Sequence, residues 1–161
     1  MKKAQGRLLV VHHSPTTLLQ GVLQTVLEGA NHPELDGVTV KVVPALAATT
    51  DDLLGADAIL LGTSANFGYI SGALKHFFDT TFNDCQEVRK GLPFSYWIRG
   101  GYDTTGAENA MESITNGFGW DLSAQPVCFT GEPDDALNEQ LVELGGTMAA
   151  HALEGNMGVT Q

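Results

Sequence analysis

Ala58-Ile59-Leu60-Leu61-Gly62-Thr63-Ser64-Ala65-Asn66-Phe67-Gly68-Tyr69-Ile70-Ser71-Gly72-Ala73-Leu74-Lys75-His76-Phe77-Phe78-Asp79 decides the fold. It begins with four uncharged apolar residues, the run a strand needs when both its faces are covered. It ends on Ala73, Leu74, Phe77 and Phe78, whose spacing of one, three and one residues is a helical stripe. Between them lies a polar loop with three glycines, Gly62, Gly68 and Gly72. The same grammar repeats outward in both directions. Leu8 to Val11 is another unbroken apolar run, followed by a helix on Leu18, Leu19, Val22, Leu23, Val26 and Leu27. Val38 to Val43 alternates with period two, which places it nearer a sheet edge. Asp51 to Gly55 reads as a short helix.

Downstream, Phe94 to Ile98 is an uncharged aromatic strand. A helix on Ala110, Met111, Ile114 and Phe118 follows, opened by the capping-box pattern Thr105-x-x-Glu108. Gln125 to Phe129 is a fifth strand, and Leu137, Leu141, Leu144 and Met148 line a last helix whose start carries Asp134 and Asp135. Strand and helix alternate throughout, the signature of a doubly wound parallel sheet. Five strands suit the order 2-1-3-4-5, with a ligand past the carboxyl ends of the strands at the switch point between the first and third. The expected class is α/β, one five-stranded domain over residues 1–161, with an aperiodic and mobile tail over 153–161.

Composition agrees. The chain has 161 residues, 43% hydrophobic and 17% charged, a globular profile rather than a disordered one. Eight basic residues against 19 acidic give a net charge of −11. That leaves no basic footprint for nucleic acid and disfavours an anionic membrane surface. It suits solubility or docking to a basic protein partner. No run reaches the ~18 apolar residues of a membrane span, and Lys2 and Lys3 precede too short an apolar run for a signal peptide. Two cysteines make no disulfide framework, so a reducing, cytoplasmic setting is expected.

Three loops therefore carry the chemistry. His12-His13-Ser14-Pro15-Thr16-Thr17 leads into a helix start, where three hydroxyls and free amides suit a phosphate. It holds neither a lysine nor a nucleotide-triphosphate or dinucleotide glycine pattern; plain capping by Thr16 or Thr17 is compatible with the phosphate reading. In the second loop Gly68 and Gly72 permit close backbone approach, Phe67 and Tyr69 offer flat apolar surface, and Asn66 and Ser71 add polar groups. Lys75, Phe77 and Phe78 belong to the helix face and core. The third loop, Arg99-Gly100-Gly101-Tyr102-Asp103-Thr104-Thr105-Gly106, offers two glycines and a tyrosine. Arg99 is open to three roles: balancing charge, contacting a second nucleotide's phosphate, or lying on the surface.

The segment Gly62 to Asp79 resembles the second flavin-binding loop of flavodoxin-like FMN proteins, especially the NAD(P)H-dependent FMN and quinone reductases. Their pattern is Gly-Thr/Ser-Pro-x-x-Phe/Tyr-Gly-x-x-Ser/Thr-Gly-x-x-Lys/Arg-x-Phe-x-Asp, with Ser64 standing here for the proline. The first loop is similar to the flavodoxin phosphate loop Thr/Ser-x-Thr-Gly-x-Thr: Ser14 and Thr16 match, Thr17 replaces the glycine, and Leu19 the last threonine. The resemblance implies FMN as cofactor and NAD(P)H as reductant. Ser14, Thr16 and Thr17 would hold the phosphate. Ser64, Ala65, Asn66, Phe67, Gly68 and Tyr69 would wrap the ring, with Gly100, Gly101 and Tyr102 opposite. It implies reduction of a quinone or other acceptor, or, as alternatives, a flavodoxin-type electron carrier without its own substrate or a flavin-free scaffold. Relatives of this kind also imply a homo-oligomer with shared sites.

No acid or base is assigned for catalysis. His12 and His13 stand at the mouth of the expected site and titrate near neutrality, but adjacent strand residues face opposite ways, so at most one reaches it. His32, His76 and His151 fall on separate elements and form no metal set. Cys85, read as a loop residue beside Asp84 and Glu87, and Cys128, in a strand, are not nucleophiles.

Overall fold

The computed structural model describes residues 5–159. The Lys2-Lys3 start therefore lies outside the described residues. Among the described residues there are seven strands: β1 Gly6–His12, β2 Val38–Pro44, β3 Ala58–Asn66, β4 Tyr69–Ile70, β5 Pro93–Gly100, β6 Asp121–Leu122 and β7 Val127–Thr130. Five α-helices alternate with them: α1 Thr17–Ala30, α2 Thr50–Leu54, α3 Gly72–Cys85, α4 Thr105–Phe118 and α5 Asp135–Val159. The sheet runs β2-β1-β3-β5-β6, with β7 also on β5 and β4 on β3.

The five-strand expectation is thus corrected to seven, for two local reasons. The fifth place in the sheet is filled by two pieces. β6 pairs in parallel with Pro93 and Phe94, and β7 with Trp97 to Gly100. The extra strand, β4, is a two-residue antiparallel return on the end of β3, where Ala65 faces Ile70 and Asn66 faces Tyr69. The remaining pairings of the sheet are parallel. β2 lies at the edge, as its period-two pattern requires.

Alternation along β1 and β3 builds two cores. Leu9, Val11, Ile59 and Leu61 face one side and pack with Leu74, Phe77, Phe78, Met111 and Phe118 of α3 and α4. Leu8, Val10, Ala58 and Leu60 face the other and pack with Val22, Val26, Leu141, Leu144 and Met148 of α1 and α5. Trp97, buried in this second core, lies where a Cβ on Gly62 would stand: that atom would come 2.0 Å from the indole ring. Gly62 thus makes room for a core residue.

Three local expectations change. The N-cap of α4 is Thr104 rather than Thr105, and its hydroxyl donates to Glu108 at 2.7 Å, while Asp103 accepts from the Thr105 amide at 3.2 Å. Asp103, one residue further upstream, takes the first free amide, and Thr104 makes no side-chain cap bond, so no capping box forms. Cys85 is the last residue of α3 and buried, not in a loop. α5 is continuous through Val159, into the stretch the sequence sets apart as aperiodic; residues 160 and 161 lie outside the described residues. Among the described residues no helix is long and apolar enough to cross a membrane.

Candidate functional site

β1, β3 and β5 are neighbours in the sheet, so the three loops at their carboxyl ends are brought side by side. His12 pairs with Gly62 and Ser64 with Arg99 across the registers. The His13 amide donates to the Gly62 carbonyl at 2.9 Å, tying the first loop to the second.

In the first loop Thr16 is the N-cap of α1. Its extended backbone turns its hydroxyl back to accept from the Leu19 amide at 3.2 Å. Thr17 is exposed at the first helical position. The amides of the first turn that lack an intrahelical acceptor point off this end, where the dipole is positive. Ser14 is half-buried, and its hydroxyl stands 2.9 Å from His12 Nδ1. Burial, with His13 alongside, holds the His12 pKa below the ordinary imidazole value. Leu19 is buried and serves the core, so Ser14, Thr16 and Thr17 are the hydroxyls of this loop.

In the second loop β3 runs on past Leu61 to Asn66 and turns back into β4. The two residues of the turn, Phe67 and Gly68, have φ of +52° and +74°. Positive φ at both positions is the geometry that closes a two-residue hairpin. For phenylalanine it is a rare conformation, costing on the order of 1–3 kcal/mol. Phe67 is the one non-glycine with positive φ among the described residues, and its ring is fully exposed. Tyr69 is exposed beside it, and Ser64, Ala65 and Asn66 are partly or fully accessible.

Ser71 differs from its expectation. It is 1% exposed, its amide donates to the Thr63 hydroxyl at 3.1 Å, and its own hydroxyl accepts from the Leu74 amide at 3.2 Å as the N-cap of α3. Thr63, fully buried, sits 2.9 Å from it, oxygen to oxygen. The pair is a latch at the base of the hairpin, not a free polar edge. The sequence places Thr63 in the polar loop without a role; β3 in fact runs on through it, and burial turns its hydroxyl to the N-cap serine eight residues on.

In the third loop Gly100 is buried, and a Cβ there would come 2.5 Å from the Asp103 carbonyl oxygen, so its smallness lets the loop turn. Gly101 and Tyr102 are exposed. A Cβ on Gly101 or Gly68 would meet nothing within 4 Å, so both backbones border open space. Arg99 is half-buried, with its Nε donating to the Gly131 carbonyl at 3.1 Å, which anchors it to the loop after β7. Cys128 is pushed up to about 12 by burial first and Glu108 second, and burial with Asp84 raises Cys85, so both stay thiols. Lys75 pairs with Asp79 on α3 at 2.7 Å.

Strand order, loop placement and this open edge define the flavodoxin-like fold, and the chain has it. A solved archaeal flavodoxin superposes with a TM-score of 0.75 over 91% of this chain and 98% of its own, at 20% identity. A curated relative from Aquifex aeolicus named flavodoxin is 33% identical over 79 residues, 49% of this chain and 42% of its own. One from Geobacter metallireducens named NAD(P)H dehydrogenase (quinone) is 32% identical over 101 residues, 63% of this chain and 40% of its own. The chain thus spans about two fifths of the length of the curated relatives it matches. No family model matches the sequence.

Proposed function

We propose that this chain binds FMN across the three loops and works as an NAD(P)H-dependent reductase of a quinone or similar acceptor. The observation that carries the reading is the Phe67-Gly68 turn. A strained backbone that keeps an aromatic ring in water has no purpose in the core. It lies at the end of β3, whose neighbours in the sheet are β1, which leads to the start of α1, and β5, which leads to the exposed Gly101 and Tyr102. The relatives named flavodoxin and NAD(P)H dehydrogenase (quinone) support the same class.

The residues present fit the group. Ser14, Thr16 and Thr17, with the first amides of α1, offer neutral donors for the phosphate. The open space beside Gly68 and Gly101 accommodates a flat ring, with Phe67, Tyr69 and Tyr102 as apolar walls and Ser64, Ala65 and Asn66 along its edge. FMN would supply hydride acceptance and one- or two-electron release, chemistry no side chain here possesses. The chain's part is to hold the phosphate without charge, to shield one ring face from water, and to keep His12 neutral near pH 7 beside Ser14.

The second reading is an electron carrier of the flavodoxin type. Its support is the acidic rim: Asp103, Glu132, Asp134 and Asp135 are exposed after β5 and β7, in a chain of net charge −11. Such a rim suits a basic redox partner. A visible absorption titration of the purified protein with FMN, followed by anaerobic NADH or NADPH, separates the two. Bleaching of bound flavin by the nucleotide alone is the result expected. Bound flavin that stays oxidised would favour the carrier, and no binding by folded protein would overturn both in favour of a scaffold.

A further inference from the structure

Gly106 lies outside the three loops' expected contacts, on the first turn of α4. A Cβ at this position would come 1.9 Å from the Gly68 carbonyl oxygen and 2.7 Å from its carbon. The start of α4 therefore presses directly on the backbone of the Phe67-Gly68 turn. The obstructing atoms are backbone, so no side-chain rotation relieves the clash. The carbonyl is turned toward the positive end of a helix dipole, which favours it there. At its base the same hairpin is held by the buried Thr63–Ser71 pair. The turn is thus held at its base by the Thr63–Ser71 pair and met at its tip by Gly106. Elsewhere on α4 a Cβ is tolerated: at Gly117 the nearest atom would be 3.8 Å away, on the Phe82 ring.

We infer that Gly106 is a positioning residue for the ring-binding turn: its missing side chain sets how near α4 the Gly68 peptide lies, and so where Phe67 and Tyr69 stand. The inference rests on the flavin reading of the loops for its consequence, but the contact itself does not. A methyl at 106 must displace the tip of the hairpin outward or push α4 from the sheet. In either case the strained Phe67 and the Gly68 beside it lose the neighbour that fixes them. The Thr63–Ser71 base remains, so the hairpin stays attached while its tip loses definition.

The test compares Gly106→Ala with Gly117→Ala in three measurements. Hydrogen exchange on the protein without flavin reads the Asn66/Tyr69 pair, whose amides bond across the two-residue turn: Gly106→Ala speeds it at least tenfold and Gly117→Ala leaves it as in the wild type. Unchanged exchange in Gly106→Ala overturns the brace whatever the protein binds. FMN titration by fluorescence quenching then gives a dissociation constant at least tenfold higher for Gly106→Ala, with a displaced visible band in what does bind. A weaker fold alone would lower the melting temperature without moving that band. If the wild type binds no FMN, the flavin reading fails while the exchange result still decides the brace. If Gly106→Ala does not fold, wild-type exchange decides. The β4 amides and the Glu108 amide, bonded to the Thr104 carbonyl at 2.9 Å, should open as one unit, and independent opening overturns the inference.

Discussion

Thr16 has two tasks at one oxygen. Its hydroxyl accepts from the Leu19 amide, which leaves the hydroxyl hydrogen free to donate outward. Thr16→Val removes both functions. Loss of an N-cap costs about 1 kcal/mol of stability, and loss of a hydrogen bond to an anionic phosphate weakens FMN binding about tenfold. Thr16→Ser keeps the oxygen and should keep both. Thermal melts and FMN titrations measure the two effects separately. A Thr16→Val protein with reduced stability and an unaltered dissociation constant would leave Thr16 as a cap only. His12 allows a second test at this scale. Its pKa is lowered by burial and by His13, so the unfolded chain takes up a proton first as pH falls. Stability is therefore full above about pH 6.5 and declines as pH drops below the unfolded imidazole value, until the folded ring also protonates. His12→Gln should flatten that part of a melting-temperature profile. An identical slope in the variant would mean the decline comes from other groups.

Among the elements, α1 and α5 show what a sequence pattern hides. A Cβ on Gly29 would come 1.8 Å from the Val142 carbonyl oxygen, and one on Gly145 would come 2.0 Å from that of Val26. The two helices meet backbone to backbone through reciprocal glycines. Overpacking of this kind costs roughly 1–3 kcal/mol or more, so Gly29→Ala and Gly145→Ala should each lower the denaturation midpoint. Gly21, exposed on α1 with nothing within 4 Å of its Cβ position, provides the contrast. Gly21→Ala should gain up to about 1 kcal/mol from helix propensity. Equal effects at 21 and 29 would refute the close crossing. The stripes Leu18 to Leu27 and Leu137 to Met148 identify both helices from sequence alone, because amphipathic periodicity is a local property. That their glycines touch is not local and leaves no periodic trace. The same divide explains β4 and the split fifth strand. Two-residue strands owe their existence to a neighbour's hydrogen bonds, and no propensity marks them. Gly106, likewise, is a plain helix glycine until Gly68 is placed against it. By contrast the long strands and the loops after β1, β3 and β5 were legible, since buried runs and the switch-point rule locate them without knowledge of any contact.

For the molecule as a whole, charge and site pull in opposite directions. FMN carries a phosphate dianion, and the chain carries a net −11. The loop that would hold the phosphate contains no lysine or arginine, only hydroxyls, amides and two histidines, of which His12 is kept neutral near pH 7 by burial. Arg99 is engaged with the Gly131 carbonyl and Lys75 with Asp79. Local attraction must come from dipoles, which act over the first turn of α1 only, while the repulsion is long-range. Salt reaches the second far more than the first, because the screening length shortens from about 30 Å at 0.01 M to about 8 Å at 0.15 M. FMN affinity should therefore rise with added sodium chloride, by several-fold across that interval, where a lysine-held phosphate would show the opposite slope. Riboflavin, which lacks the phosphate, should bind more weakly and with little salt dependence. Titrations of both ligands at the two ionic strengths measure this directly. A fall in FMN affinity with salt would mean that a cation reaches the phosphate after all, and Arg99, freed from Gly131, would be the residue to substitute next.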